Sequence, residues 1–153
     1  MELDKDFKEF IALLNAHEVH YLVIGGYAVN FHGYPRYTKD IDFWIWLDAD
    51  NIQKLIQTLR DFGFGSLGLT EADFELKSNI IQLGCEPYRI DLLMEVEGAD
   101  FEDCYARKTR KLVDNVAVDF LDLQDLIEIK KSAGRLQDLA DAEQLDKIKN
   151  KKK

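Results

Sequence analysis

The chain has 153 residues, of which 46% are hydrophobic and 32% charged, and its net charge is −9. This balance is typical of one globular domain with a buried core, and it excludes a fibrous or disordered chain. The last seven residues hold five lysines, so residues 1–146 sum to −14, and this acidic body argues against non-specific duplex binding. We predict a single domain over residues 1–149 and a flexible basic tail over residues 150–153.

The sequence carries no sign of a membrane segment or a disulfide framework. No apolar run approaches the roughly 20 residues that span a bilayer, and the N-terminus is acidic and amphipathic where a signal peptide would be basic and then apolar. We therefore expect a cytoplasmic protein with no membrane partner. Cys85 and Cys104 lack CxxC spacing, which argues against zinc and predicts two buried or half-buried thiols.

Apolar periodicity divides the first half of the chain into alternating helices and strands. The predicted elements are a helix over 3–16, a strand over 20–24, a short helix over 27–33, a strand over 40–47 and a helix whose apolar positions run from 52 to 62. Gly25 and Gly26 are expected to end the first strand, and Asp48 or Asp50 to cap the last of these helices.

The second half predicts two hairpins and a pair of closing helices. One or two helical turns are expected over 70–75, followed by strands from Asn79 and Tyr88, a helix near 101, a hairpin about Asp114-Asn115, and helices over 122–133 and 135–148. Only a few residues separate the strands of each hairpin, which requires antiparallel pairing. The apolar stripe of the last helix is predicted to be Leu136, Leu139, Leu145 and Ile148. The fold class is therefore α/β (α+β), a mixed central sheet with flanking helices.

Three aspartates stand out because they lie in strands that are otherwise apolar. Asp40 and Asp42 are two residues apart, so in a strand both point to one face, and Asp91 lies within a second apolar strand. If the two strands are neighbours, three carboxylates converge, and the repulsion between them calls for a divalent cation. Oxygen-only ligation suits Mg²⁺ or Mn²⁺.

The same aspartates also have a purely structural interpretation. Asp40 could begin the strand as a turn residue, Asp42 could lie on a solvated face, and Asp91 could pair with Arg89 or Arg36. The double glycine favours the cation site, because bare backbone between a strand and a helix lets N–H groups approach a phosphate. A site for an anion beside a site for a cation is what phosphoryl chemistry requires.

These motifs resemble the nucleotidyltransferase superfamily of the DNA polymerase β type, and more narrowly its small bacterial minimal and AbiEii-like members, some of which act as toxins. The residues that carry the resemblance are Gly25, Gly26, Ala28, His32, Gly33, Arg36, Thr38, Asp40, Ile41, Asp42 and, near the C-terminus, Lys130, Gly134, Arg135, Asp138, Asp141 and Leu145. In many superfamily members a serine stands where this chain has Gly26.

The resemblance implies a role for each matched residue. Asp40, Asp42 and Asp91 would be catalytic and would bind two Mg²⁺ (or Mn²⁺) ions. The nucleotide, an NTP, would be bound by Gly25, Gly26, Arg36, Thr38 and Lys130. The alternative for Lys130 is a solvated lysine on the helix surface. Arg135 and Asp138 would form a structural ion pair, and His32 would be a packed, hydrogen-bonded histidine.

The sequence thus predicts a metal-dependent enzyme that transfers NMP from an NTP to an unidentified acceptor. That acceptor could be RNA such as tRNA, a protein or a small molecule, and a toxin–antitoxin role is possible for this class. The alternative is a non-catalytic nucleotide-binding module that regulates or completes a partner protein.

Overall fold

The computed structural model describes residues 3–35, 37–75, 80–85 and 88–151. Its helices are α1 (Lys5–Ala16), α2 (Gly25–Phe31), α3 (Ala49–Leu59), α4 (Glu71–Glu75), α5 (Phe101–Ala106), α6 (Leu123–Ala133) and α7 (Leu136–Lys151). Its strands are β1 (Tyr21–Ile24), β2 (Ile41–Ile45), β3 (Ile80–Cys85), β4 (Tyr88–Leu93), β5 (Thr109–Val113) and β6 (Val116–Phe120). None of these helices is long and apolar enough to cross a membrane.

The strands form one mixed sheet in the order β3-β4-β2-β1-β6-β5. Both predicted hairpins, β3–β4 and β5–β6, pair in antiparallel fashion, and β1 pairs antiparallel with β2. The remaining pairs, β2 with β4 and β1 with β6, are parallel. The predicted fold class is confirmed, and the parallel pairs place β1 and β2, the most apolar strands, at the centre of the sheet.

Local signals in the sequence explain most element boundaries. The Asp48 carboxylate accepts a hydrogen bond from the Asn51 N–H and so caps α3. Of the two predicted caps, Asp48 and Asp50, the structure therefore uses Asp48. The turn between β5 and β6 places Asp114 and Asn115 at φ values of 52° and 67°, which Asp and Asn tolerate better than most residues. The Thr70 N–H donates to the carboxylate of Asp73 at the start of α4.

Two predicted features of the helices were wrong. The short helix begins at Gly25, two residues earlier than predicted, so the double glycine forms its first turn. In α7 the predicted stripe fails at Leu136 and Leu139, which are 89% and 45% exposed. Asp138 and Asp141 face inward instead, because they form ion pairs with a lysine of α6, and this rotates the apolar leucines of the first turn outward.

The core lies between the sheet and the helices that cover it. All four residues of β1 are buried, and the apolar face of α1 packs on the sheet through Phe7, Phe10, Ile11 and Leu14. Buried Asn51 ties the two central strands together: its amide oxygen accepts from the His20 N–H, and its NH₂ group donates to the carbonyls of His20 and Trp46. These three hydrogen bonds, called the Asn51 bracket below, fix one end of the β1–β2 pair. The candidate site lies at the other end.

Candidate functional site

Asp42 and Asp91 lie side by side in the sheet. They are register partners of the parallel strands β2 and β4, and across the antiparallel pair Asp42 lies opposite Ile24, the last residue of β1. Register partners point to the same face, so the two carboxylates meet above the sheet. The convergence expected from the sequence is therefore present for this pair.

The double glycine lies directly against Asp42. Gly25 has φ +68°, and a Cβ placed on it would lie 2.2 Å from Asp42 Oδ2. Such an approach is impossible for any other residue without moving the aspartate. Glycine at this position therefore serves both the backbone conformation and the close approach of the backbone to the carboxylate.

Gly26 is fitted to a different neighbour. A Cβ on Gly26 would lie 2.7 Å from Thr38 Oγ1 and 3.0 Å from Thr38 Cβ. The Thr38 hydroxyl donates a 3.2 Å hydrogen bond to the carbonyl of Asp40, which places the threonine beside the start of α2. Gly26 stands where many superfamily members have serine, and the structure gives a steric reason: Thr38 fills the space that a serine side chain would need.

Arg89 joins two of the three acids. Its Nε and Nη2 donate to Asp91 at 2.8 and 3.3 Å, and its Nη2 lies 3.1 Å from Asp40 Oδ2. Asp40 precedes β2, so this one guanidinium crosses from β4 to the entry of the neighbouring strand. The other oxygen of Asp40, Oδ1, is buried and has no hydrogen-bond partner among the described residues.

Burial, followed by the negative charge of Asp91, a hydrogen bond with Asp91 and the charge of Asp40, raises the pKa of Asp42 from its usual 3.8 to about 7. The charge of Lys130 acts in the opposite direction and lowers it. Asp42 therefore lacks the compensating cation that Arg89 gives to the other two acids. A carboxylate in this condition gains from any additional positive charge.

Lys130 reaches this region from α6 and is held by α7. Its ammonium lies 3.3 Å from Asp138 Oδ1 and 3.1 Å from Asp141 Oδ2, and only 12% of the side chain is exposed. The interpretation of Lys130 as a solvated lysine is thus wrong. Arg135 also pairs with Asp138 at 2.7 Å, as predicted, while Gln137 donates to Asp141. Burial raises the pKa of Asp138, but hydrogen bonds from Arg135 and Lys130 outweigh it and hold that pKa below its usual value.

The acids fit a hard divalent cation in composition and charge. The donors are all carboxylate oxygens, one of them is buried and has no hydrogen-bond partner among the described residues, and the pKa of one carboxyl is raised by burial and by the neighbouring carboxylates. In the part of the chain that the structure describes, no three His, Cys, Asp or Glu side chains are already grouped as a metal site. Between Asp40 and Asp91 the positive charge is supplied by Arg89.

The remaining residues singled out in the sequence are one arginine, one histidine and two cysteines. Arg36 lies outside the described residues. His32 is buried, and its Nε2 lies 2.7 Å from the carbonyl of Leu121, so it is a packed histidine as expected. Cys104 is a free, buried thiol, and burial raises its pKa to about 11; the side chain of Cys85 lies outside the described part.

Sequence reasoning missed the bridge that Arg89 makes between two strands. It considered Arg89 only as a partner of Asp91, which lies two residues away on the same strand face. The contact with Asp40 depends on the parallel register of β2 and β4, and no local pattern reveals that register. The buried position of Asp141 was also missed, although its i, i+3 spacing from Asp138 was a signal that both could share one helix face.

Three solved structures that share this fold are described as nucleotidyltransferases or as similar to them. The lincosamide antibiotic adenylyltransferase LnuA, solved with lincomycin bound, superposes with a TM-score of 0.60 at 18% identity, covering 96% of this chain and 98% of that one. A candidate nucleotidyltransferase of Thermotoga maritima gives 0.61 at 16% identity, covering 95% and 91%. An antigenic nucleotidyltransferase-like protein of Paracoccidioides brasiliensis gives 0.53 at 13%, covering 97% and 78%.

At these identities the likeness shows the fold, which is that of the nucleotidyltransferases. No curated protein matches the sequence. Residues 1–150 match the profile of a family described as nucleotidyltransferase of unknown function (DUF6036), and the chain belongs to that family. The predicted membership of the nucleotidyltransferase superfamily is confirmed.

Proposed function

We propose that this protein is a Mg²⁺- or Mn²⁺-dependent nucleotidyltransferase that transfers NMP from an NTP to an acceptor hydroxyl or phosphate and releases pyrophosphate. The observation that carries the proposal is the pairing of Asp42 and Asp91 on adjacent parallel strands, directly against the bare backbone of Gly25. The fold and family make nucleotidyl transfer the natural chemistry for such a pair of acids.

Asp40, Asp42 and Asp91 are the residues that would hold the cation. When bound, two divalent ions would neutralise the triphosphate, lower the pKa of the acceptor hydroxyl and stabilise the leaving pyrophosphate. Asp91 is the candidate to accept the proton of the acceptor. Asp42 lies between the other acids and the glycine turn, so its carboxylate would orient the cation toward the phosphates.

The nucleotide would lie over the start of α2. Gly25 and Gly26 leave the backbone open to the phosphates, and Thr38 packs across Gly26. Lys130 is close enough to influence the charge of Asp42 and would offset part of the triphosphate charge. Its two aspartate partners fix the ammonium in place, so it would act as a preorganised cation rather than a mobile one. Arg36 would add a further contact.

The acceptor is the open part of the proposal, with RNA such as tRNA, a protein hydroxyl such as tyrosine, and a small molecule as the candidates. LnuA, which shares the fold, is named for adenylyl transfer to a lincosamide antibiotic, so small hydroxylated compounds belong in any acceptor panel. We further propose a cytoplasmic enzyme, in which a partner protein either supplies the acceptor or restrains the enzyme, as in a toxin–antitoxin pair.

The direct test is to incubate the protein with each α-labelled NTP, Mg²⁺ and a cell extract, and to identify the labelled fraction. We expect label in one acceptor class, dependence on the divalent cation, and loss of label with Asp42→Asn. The control is Asp50→Asn, which changes an exposed acid in the first turn of α3. Retained labelling by Asp42→Asn would refute the proposed mechanism.

A second candidate function is nucleotide binding without turnover, in a module that regulates or completes a partner. The bridge from Arg89 favours it, because a guanidinium already neutralises two of the three acids. Calorimetry and pyrophosphate release distinguish the two. The binding module predicts NTP binding with no cation-dependent pyrophosphate release in the presence of extract, whereas the enzyme predicts release.

A further inference from the structure

We propose that Arg89 is an internal counter-ion, which holds the place of the divalent cation between Asp40 and Asp91 and must leave before the cation binds. The inference rests on the proposed function, because it concerns the same carboxylates. It adds a residue to which the sequence motifs give no role in the site. It also sets a condition on when the site can be loaded.

The contacts of Arg89 are those of a bridging cation. Its guanidinium engages both oxygens of Asp91 at 2.8 and 3.3 Å and one oxygen of Asp40 at 3.1 Å. The two acids come from different strands, and Arg89 is the positively charged group that the structure places between them. A forked guanidinium is the protein side chain best suited to this task, since its donors match two carboxylates at fixed angles.

A cation bound to Asp40 and Asp91 and a guanidinium bound to the same oxygens exclude each other. Both would use the same lone pairs, and two positive groups so close together repel each other. The affinity of the free protein for a divalent ion is therefore reduced by the free energy of the Arg89 contacts. The buried Oδ1 of Asp40, which has no hydrogen-bond partner in the described part of the chain, shows that the guanidinium satisfies this acid only in part.

Two features of its surroundings give Arg89 room to move away from Asp40. Its side chain is 30% exposed, so the guanidinium has access to solvent. Across the sheet its register partner in β3 is Gly84, which has no side chain to block movement away from Asp40. A nucleotide that arrives with its cation brings phosphates that can receive the displaced guanidinium, so the complex of cation and NTP loads more readily than the cation alone.

The test is a Mn²⁺ titration at pH 8 without nucleotide, with free Mn²⁺ measured by its electron paramagnetic resonance signal. Arg89→Ala should bind Mn²⁺ about ten- to a hundredfold more tightly than the wild type, as expected for removal of a charge-assisted pair that competes with the ion. Arg89→Gln, which keeps two N–H donors without the charge, should bind more tightly than the wild type as well, and it provides a milder variant should Arg89→Ala fold poorly.

The matched control is Arg110→Ala. Arg110 forms a similar fork with Asp119, at 2.7 and 3.0 Å, in the β5–β6 hairpin. Its removal should leave the Mn²⁺ affinity unchanged. Circular dichroism of each variant confirms that the fold is intact before titration.

The outcomes separate this inference from the proposed function. If the wild type binds Mn²⁺ and both Arg89 variants bind it equally or more weakly, the counter-ion role is refuted while the cation site stands. If neither the wild type nor a folded Arg89 variant binds Mn²⁺, the cation site itself is refuted and the inference falls with it. Tighter binding by both Arg89 variants and unchanged binding by Arg110→Ala would support it.

Discussion

Replacing Asp42 with asparagine should stabilise the cation-free protein at neutral pH while it abolishes transfer. The folded protein raises the pKa of Asp42 from 3.8 to about 7, so the folded state holds the proton more tightly than the unfolded chain. The stability that protonated Asp42 contributes to the folded state is therefore fully present below about pH 4 and is lost as the pH rises toward 7. The asparagine keeps a hydrogen-bond donor for Asp91 and removes the ionisation.

The size of this effect follows from the pKa shift. A shift from 3.8 to about 7 corresponds to about 4 kcal/mol, at roughly 1.4 kcal/mol per pKa unit, as the largest possible cost of ionising Asp42 in the folded state. Local rearrangement reduces that cost, so we expect Asp42→Asn to exceed the wild type by about 2 to 4 kcal/mol above pH 7 and to match it near pH 4.

The assay is urea unfolding in the presence of EDTA at several values between pH 4 and pH 8. Asp91→Asn is the informative comparison, because Asp91 is paired with Arg89 and its neutralisation should destabilise the protein rather than stabilise it. An Asp42→Asn variant less stable than the wild type at pH 8, or a difference that does not change with pH, would show that Asp42 is not a strained carboxylate.

Three further substitutions test the surroundings of the site. Lys130→Met should cost about 3 to 5 kcal/mol in urea unfolding, because buried Asp138 and Asp141 lose the cation that they share and Arg135 still pairs with Asp138, whereas Lys131→Met, which removes an exposed pair, should cost under about 1 kcal/mol. Gly26→Ser should lower stability by about 1 to 3 kcal/mol, and adding Thr38→Ala should recover much of it; a cost unaffected by the second change would contradict the steric account. Asn51→Ala should cost about 2 to 4 kcal/mol and increase amide exchange at the nearby ends of β1 and β2, whereas unchanged exchange there would contradict the Asn51 bracket.

Local sequence rules account for the hairpins and for most helices, because those elements depend on residues close together in the chain. The short link before Tyr88 and the Asp114-Asn115 turn leave only antiparallel pairing. The parallel pairing of β2 with β4 is different. It depends on how whole segments pack, so the sequence could mark Asp42 and Asp91 as unusual but could only suppose that their strands are neighbours.

The errors have the same origin. The double glycine was predicted only to end the first strand and to precede the helix, yet α2 begins at Gly25, and the contact with Asp42 requires glycine in that first turn. In α7 a leucine pattern predicted the buried face, but pairing with Lys130 turned aspartates inward. In both cases a charged group of the candidate site overrode a local preference, and a pattern that counts only apolar residues does not detect this.

The residues of the candidate site come from distant parts of the chain: Asp42 from β2, Asp91 from β4 and Lys130 from α6. Each is positioned by pairing or packing with segments far away in sequence, so no fragment of the chain assembles the site by itself. Any ligand that needs all three groups can bind only the fully folded protein and draws the folding equilibrium toward it. For the proposed nucleotidyl transfer, a nucleotide added during refolding would therefore report the final step of folding, and a partly folded chain would not turn over NTP.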